Sequence, residues 1–292
     1  MRREPGAADG GAVPDQYTFT NPATQYPNVT PPIQQQPEPG QQSRMTPVPD
    51  LGEESYRGTG AAVAIAVARE GADIALAYLP SEEEDAQYVI ELVRAGRTAV
   101  PLPGDLTSAE CCARLVAEAV EGLGGLDAVV TVAGKQVWNE DVLAITDEQF
   151  GAIFAVTVFA PFRIIRAAPP HLPAGATIIT TASAEAHTPA PDRLDYAMTT
   201  GAINNLSEGL AQQLAAKGIR VNVVAPGPTW TALQVSGGVD PESLPDFGSS
   251  EAPMGRAAQP AEQAPAYVFL ASAESSFVAG ETLNVNGGMV SP

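Results

Sequence analysis

Apolar residues recur along this chain in two alternating periods from about residue 60 onward. Spacings of three to four residues predict amphipathic helices, and short continuous apolar runs predict buried strands. Helices are predicted at 61–70, 82–94, about 107–122, 147 onward, 196–216 and 261–271, and strands at 73–78, 99–102, 126–132, 176–181, 220–225 and 282–285. Strands that alternate with helices of this length are typical of right-handed βαβ units. The predicted fold class is therefore α/β, with a doubly wound parallel sheet.

Local signals mark several helix ends. Residues 107–110 and 146–149 each have the spacing of a capping box, and Gly71 suits the position just after a helix. Pro161 falls inside the long predicted helix, where it removes a backbone hydrogen bond. We therefore expect a kink near residue 161.

Residues 1–50 depart from this pattern. They contain ten prolines and two glutamine runs, and they offer little apolar surface to offset the entropy of ordering. The sequence predicts a disordered or polyproline-like arm over 1–50 and one domain over 51–292. The arm is interpreted either as a free tail or as a segment that wraps a neighbouring subunit.

Composition excludes several classes of protein. The formal charge is −19, with 15 Lys and Arg against 34 Asp and Glu, which disfavours a nucleic-acid partner. Cys111 and Cys112 are adjacent and form no disulfide framework, and two histidines without a CxxC pair disfavour a metal site. We find no apolar run of membrane-spanning length and no signal peptide, so we expect a cytoplasmic protein that does not bind a membrane.

Three predicted strands end in residues that suit a dinucleotide site. They are Asp105 and Leu106 after the second strand, Ala133 and Gly134 after the third, and Pro226, Gly227 and Thr229 after the fifth. Ligands of doubly wound sheets lie outside the carboxyl ends of the strands. Each signal is weak alone, because strand ends often carry glycine for turning, but the recurrence favours a binding site.

Ser183 ends the fourth strand, and Tyr196 opens a helix thirteen residues later. A serine hydroxyl and a tyrosine phenol that converge can hold a carbonyl oxygen and transfer a proton to it. The alternative is a surface serine and a half-buried helix tyrosine, and spacing alone favours that alternative.

The ordered set resembles the short-chain dehydrogenase/reductase family over residues 58–288. Asp105, Ala133–Gly134, Ser183, Tyr196, the segment 220–227 (RVNVVAPG) and the segment 283–288 (LNVNGG) carry the resemblance. It implies a Rossmann-like fold, NAD or NADP, and hydride transfer between nicotinamide and a small alcohol or carbonyl substrate. It also implies a homo-oligomer, commonly a homotetramer, with Ser183 and Tyr196 as the catalytic residues.

The family's glycine-rich phosphate-binding turn is incomplete here. Gly58 and Gly60 resemble the last two glycines of that turn and are predicted to bind the cofactor. The first glycine and the strand that should precede it are missing, because the Pro-rich arm leads directly into the first helix. We therefore expect a sheet that lacks the usual first strand.

Two catalytic positions also depart from the family. Thr200 stands where the family has a lysine four residues after the tyrosine, and Thr157 stands where the long helix has an asparagine. Only Lys135 and Lys217 remain as lysines, and Lys135 is the better placed to substitute. Two hypotheses follow: an oxidoreductase with impaired turnover, or a non-catalytic relative that acts as a binding or assembly protein.

Two segments bear on specificity. Residues 82–85 (EEED) follow the first predicted strand, where they would repel a 2′-phosphate and favour NAD, although a solvated helix start is the better explanation of these acidic residues. Substrate specificity is expected within residues 235–255.

Overall fold

The computed structural model of the chain describes residues 21–26, 28–51 and 60–290. Its helices are α1 (Ala61–Arg69), α2 (Glu83–Arg94), α3 (Ala109–Leu123), α4 (Asp147–Phe154), α5 (Ala160–Ala167), α6 (Leu194–Ala215) and α7 (Pro260–Ala271). Its strands are β1 (Ile74–Tyr78), β2 (Ala99–Pro103), β3 (Ala128–Thr131), β4 (Thr177–Thr181), β5 (Arg220–Pro226) and β6 (Thr282–Val285). The predicted alternation of strands and helices is therefore confirmed.

All strand pairs are parallel, and the strands form two separate sheets. β1 pairs with β2, while the second sheet has the order β3-β4-β5-β6. Among the described residues no strand lies between β1 and β3. The prediction that the usual first strand is missing thus corresponds to a sheet divided at its centre.

Helices cover both faces of the four-stranded sheet. Ile178 packs with Ile165 of α5 and Leu214 of α6, whereas its neighbour Ile179 packs with Val63 of α1 and with α7. Consecutive strand residues point to opposite faces, so β4 presents one isoleucine to each face, and the strand is almost wholly buried. This arrangement fixes the carboxyl ends of β3, β4 and β5 at one edge.

The division leaves β1 poorly covered. No residue of β1 is fully buried, whereas four of the five residues of β4 are. A cavity of about 2350 Å³ runs between the two sheets and is lined by residues of both β1 and β3. The flanking strands have therefore not moved together to close the gap.

One of the two predicted helix caps differs in detail from the structure. Ser108, not Thr107, caps α3, because its Oγ accepts the N–H of Cys111 at 3.2 Å. Thr146 caps α4 as predicted, with its Oγ1 accepting the N–H of Gln149 at 3.1 Å. The kink expected near residue 161 takes the form of a π-helical turn at 155–159, directly before α5.

The described part of the arm is packed against the domain, which corrects the prediction of disorder for residues 28–50. Met45 is buried beside Trp230, whose Nε1 donates to the carbonyl of Pro47 at 2.8 Å. Leu51, just beyond the arm, is buried against Ala64 of α1. The arm carries too few apolar residues for its own core, but these anchors are enough to dock it.

The continuous helical segment Asp147–His171 has the length and composition of a membrane span. This differs from the expectation that no segment qualifies. The segment contains Arg163 and Arg166, and it packs against α3 and α6. One such helix is weak evidence for a membrane, because helices of soluble proteins can have the same composition.

Candidate active site

The carboxyl ends of β2, β3, β4 and β5 open into the cavity between the sheets. Of the predicted site residues, Gly60, Asp105, Leu106, Ala133, Gly134, Ser183, Tyr196, Pro226, Gly227 and Thr229 all line it. Gly58 lies outside the described residues. The fold therefore brings residues from six separate parts of the chain to one place.

Ser183 lies immediately after β4 and begins a short 3₁₀ turn. Its Oγ accepts the N–H of Glu185 at 3.2 Å. Tyr196 lies in the first turn of α6, and the adjacent Asp195 anchors that turn by accepting from Nε2 of Gln149 at 2.7 Å. The two hydroxyl-bearing side chains are thus held by a strand end and by a fixed helix start.

Several groups influence the Tyr196 phenol. Burial raises its pKa above the ordinary value, and the Glu185 carboxylate raises it further. Interaction with the Ser183 hydroxyl and the positive charge of Arg193 lower it, but these effects are smaller. The net result favours the neutral phenol over the phenolate.

Thr200 and Thr157 also belong to this site. Thr200 is buried one helical turn after Tyr196, lines the cavity, and donates its hydroxyl to the carbonyl of Ala197 at 2.8 Å. Thr157 lies in the π-helical turn, where its Oγ1 accepts the N–H of Lys135 at 3.3 Å. Neither threonine brings a charge to the site.

Lys135, the lysine considered as a substitute, lines the cavity but is already paired. Its Nζ forms an ion pair with Glu38 of the arm. The arm therefore engages a cation that would otherwise face the cavity.

A cluster of charged residues beside Tyr196 was not predicted from the sequence. The Arg193 side chain is buried and lies 3.0 Å from Glu185 Oε1. Arg193 precedes Tyr196 by three residues, a spacing that places both on one side of a helix start. That spacing, in a chain with only 15 basic residues, is the signal that sequence reasoning missed.

The residues present fit a dinucleotide in several respects. Helix α1 begins at Gly60 without a side-chain cap, which leaves its first N–H groups available to a phosphate. A Cβ added at Gly134 would meet open space, so nothing of the protein blocks a ligand there. Thr131 Oγ1, at the end of β3, is buried and has no hydrogen-bond partner. These features place polar groups and open space where a ligand would lie.

Other residues predicted to bind the cofactor also stabilise the local structure. Gly227 permits close packing, because a Cβ there would lie 2.7 Å from the Asn286 backbone. Asp105 Oδ1 accepts the N–H of Thr107 at 2.8 Å and so stabilises its own turn.

In the acidic segment 82–85, the Glu82 carboxylate accepts a hydrogen bond from the backbone N–H of Leu79, and the Asp85 carboxylate accepts one from the backbone N–H of Gln42. The described residues contain no group of three His, Cys, Asp or Glu that could hold a metal ion.

Comparisons with known proteins agree with this geometry. The family model described as enoyl-(acyl carrier protein) reductase matches residues 52–290. The uncharacterized oxidoreductase YghA of Escherichia coli K12 is 53% identical over 286 residues, covering 92% of this chain and 97% of that protein. The alignment with this relative has 286 positions, which is more than 92% of the 292 residues of this chain. The alignment therefore contains gaps in this chain, at positions where the relative has residues.

Two further relatives carry informative names. The glucose and ribitol dehydrogenase of Daucus carota is 36% identical over 283 residues, covering 89% of this chain and 97% of that protein. The crystal structure of a short-chain dehydrogenase from Burkholderia cenocepacia J2315 in complex with NADP superposes with a TM-score of 0.72 at 31% identity, covering 80% of this chain and 94% of that one.

The chain belongs to the short-chain dehydrogenase/reductase family. It is an NAD(P)-dependent oxidoreductase that acts on a small-molecule substrate. Nothing in the comparisons supports the alternative of a non-catalytic binding or assembly protein.

Proposed function

We propose that Ser183 and Tyr196 are the catalytic pair for interconversion of an alcohol and a carbonyl compound. The observation that carries this proposal is their common exposure to the cavity at the strand ends, together with the glycines. When bound, NAD or NADP supplies or accepts the hydride. Ser183 Oγ donates a hydrogen bond to the substrate oxygen, and the Tyr196 phenol gives a proton to that oxygen or takes one from it.

The cofactor residues follow from the same cavity. Gly58 and Gly60 would hold the phosphates of the cofactor. Asp105 and Leu106 would hold its adenine end, and the nicotinamide end would be held by Ala133, Gly134, Pro226, Gly227 and Thr229. All of these residues except Gly58 line the cavity. The uncapped first turn of α1 supports this assignment.

We propose that Thr200 and Thr157 replace the family's lysine and asparagine, and that turnover is slower as a result. A lysine one turn from Tyr196 would favour the phenolate, whereas Thr200 donates its hydroxyl to the helix backbone. The raised pKa of Tyr196 supports this view. We expect the proton-transfer step to be roughly 10²- to 10⁴-fold slower than with a complete site.

We also propose a homo-oligomer, a homotetramer by analogy with the family, that works in the cytoplasm. Phe159 and Phe162 are about half exposed on the helical segment 147–171, and Leu143 before it is 90% exposed. A second copy of the chain would cover this apolar surface.

Both cysteines are free thiols, which supports the proposal that the protein works in a reducing compartment.

A titration with NADH and NADPH tests the proposed function. The expected result is a binding-induced change in nicotinamide fluorescence, followed by slow oxidation of the cofactor when a small aldehyde is added. Binding without turnover of any alcohol or aldehyde would contradict the catalytic proposal. Failure to bind either dinucleotide would contradict the cofactor assignment as well.

A further inference from the structure

Residues 34–46 of the arm form a loop whose two ends are joined, and we call this segment the arm loop. The N–H of Thr46 donates to Gln34 Oε1 at 3.0 Å, which closes the loop. Within it, the N–H of Gln41 donates to Gln36 Oε1 at 2.8 Å. Surface loops of this length with close ends and internal contacts keep their own shape. The arm loop can therefore dock on the domain, and leave it, as one unit.

The docked arm loop contacts elements on both sides of the divided sheet. On the side of β1 and β2, the N–H of Gln42 donates to Asp85 Oδ2 of α2 at 2.8 Å. On the side of the four-stranded sheet, the N–H of Gln36 donates to the carbonyl of Val235, in the segment after β5, at 2.7 Å. No pairing between described strands connects the two sheets. The arm loop therefore bridges elements that the strands leave unconnected.

The arm loop also forms part of the wall of the proposed active site. Glu38, Gly40 and Gln42 line the cavity that Ser183 and Tyr196 also line. A ligand in this cavity is therefore enclosed in part by a segment that precedes the domain in the chain.

Two features favour a reversible contact over a permanent one. Gln36 Nε2 and Gln41 Oε1 are buried but have no hydrogen-bond partner among the described residues. Water would reach both atoms once the arm loop leaves the domain, so their burial works against docking. The side chains of Glu38 and Lys135, which form the ion pair to the domain, stay 48% and 24% exposed. Dissolved ions therefore screen the attraction between them.

We propose that the arm loop is a strap that closes the cavity over a bound dinucleotide, and that the ion pair between Glu38 and Lys135 is its latch. Release of the arm loop then precedes exit of the dinucleotide, and the rate of exit depends on how often the latch opens. The proposal rests on the proposed function, because it describes the regulation of the same cavity.

Gly40 provides a variant that weakens docking without changing a catalytic residue. Its φ is +78°, and a Cβ there would lie 2.9 Å from the carbonyl oxygen of Ala232. Gly40→Ala should therefore accelerate exit of the dinucleotide at least about tenfold, because an L side chain is strained at this φ and also collides with the domain. Gly280→Ala is the matched control: its φ is also +78°, but a Cβ there makes an ordinary contact with Ala211 at 3.5 Å, outside the cavity.

The experiment measures exit of NADPH from the full chain. NADPH is bound first and then displaced by excess NADP, and stopped-flow nicotinamide fluorescence gives the dissociation rate constant. Glu38→Gln should raise this constant about threefold, and it should have no further effect when Lys135→Met has already removed its partner. Glu121→Gln removes one charge from the exposed surface of α3 and should change nothing. Equal rate constants in the parent, Glu38→Gln and Gly40→Ala overturn the proposal.

Ionic strength provides a second test of the latch. Raising the sodium chloride concentration from about 0.02 M to about 0.5 M should accelerate exit of NADPH more in the parent than in Glu38→Gln, because only the parent has an ion pair to screen. The same salt dependence in both proteins contradicts the assignment of the latch.

A readout without cofactor separates the strap from the proposed function. Trp230 is fully buried against Met45 of the arm loop, and its Nε1 donates to the carbonyl of Pro47. In a Trp138→Phe background, acrylamide should quench the fluorescence of Trp230 more strongly in Gly40→Ala than in the parent. Equal quenching in the two proteins overturns the strap, whether or not the chain binds NADPH. Failure of every variant to bind NADPH, with increased quenching in Gly40→Ala, refutes the cofactor assignment and leaves the movement of the arm loop standing.

Discussion

At the scale of single residues, Tyr196 is in an unusual setting for the proton-transfer role that we propose for it. Its phenol lies near a carboxylate, Glu185, and near a guanidinium, Arg193, but the buried environment dominates and keeps the phenol neutral. A neutral phenol can still donate a proton in the reductive direction. The oxidative direction requires a base, so we expect reduction to be the better-supported reaction near neutral pH.

Replacing Tyr196 by phenylalanine should abolish turnover. The change removes the only proton donor we assign to the substrate oxygen, so kcat should fall by at least roughly 10²-fold while dinucleotide binding is retained. The measurement is steady-state oxidation of NADPH with an aldehyde. Phe277→Leu, at a fully exposed position that does not line the cavity, is the control. A phenylalanine variant as active as the parent would remove Tyr196 from the mechanism.

Thr200→Lys should raise activity. The new ammonium would lie one helical turn from Tyr196 on the same face, where it lowers the phenol pKa, and one unit of that pKa corresponds to about tenfold in the equilibrium. Steady-state kcat should therefore rise about tenfold, and further when Thr157→Asn is added. Met198→Lys adds the same charge at an exposed position of α6 and should leave kcat unchanged. If Thr200→Lys binds cofactor but gains nothing, the defect lies elsewhere.

Which site residues could be predicted from the sequence depends on how they are placed. Ser183, Gly134 and Thr229 follow directly from strand ends, and parallel strands bring their carboxyl ends to one edge. The contact between Glu185 and Arg193 could not be predicted in the same way. It depends on the path of the irregular segment between β4 and α6, which no apolar period describes.

At the scale of elements, the divided sheet is the main departure from a regular doubly wound fold. Adjacent strands normally lie about 4.8 Å apart and satisfy each other's backbone groups. β1 has such a neighbour on one side, β2, whereas its other side faces the cavity. Its backbone groups on that side depend on water or on a ligand.

Hydrogen exchange should reveal this asymmetry. Amides of β1 and β2 should exchange at least about tenfold faster than those of β4 and β5, because local opening of a two-stranded unit costs less free energy than opening of a buried central strand. Exchange measured by mass spectrometry on the native chain gives the comparison, with β4 as the internal reference. Equal protection of residues 74–78 and 177–181 would show that the gap has no effect on local stability.

The elements themselves were predictable, and the docking of the arm was not. Apolar periodicity marked each helix and strand from α1 to β6, because every one of them buries a regular stripe or run. The arm is held instead by isolated anchors such as Met45 and by backbone groups such as the carbonyl of Pro47. Isolated anchors leave no periodic signal in the sequence.

At the scale of the whole molecule, two lobes share the cavity that contains the proposed active site. The smaller lobe contains β1 and β2 with α2, and the larger lobe contains the four-stranded sheet. Helix α1 packs against α7 of the larger lobe and against α2 of the smaller one. The two lobes are therefore connected by helices and by the arm, and not by pairing between described strands.

The purified chain should be markedly less stable than a relative with a complete sheet. Each backbone group left without a partner in the interior costs about 1–3 kcal/mol, and among the described strands β1 pairs on one side only. We expect a melting temperature lower by about 10 °C than that of the Escherichia coli relative, with dinucleotide affinity weaker than micromolar. Calorimetry at matched salt concentration and a fluorescence titration measure both. A cooperative melt at the temperature of the relative, together with micromolar affinity, would refute this prediction.

The packed arm also bears on the order in which the molecule assembles during its synthesis. The carbonyl of Pro22 accepts a hydrogen bond from Arg256, and the carbonyl of Pro47 accepts one from Trp230. The first described residues to be synthesised therefore bind residues that are synthesised much later. Contacts between residues so far apart in the chain form late, because a long loop must close first. The arm and the segment after β5 that carries Gln234 should dock together as a final step. Until then the wall of the cavity that Tyr196 also lines stays incomplete, and a nascent chain should be unable to hold its substrate.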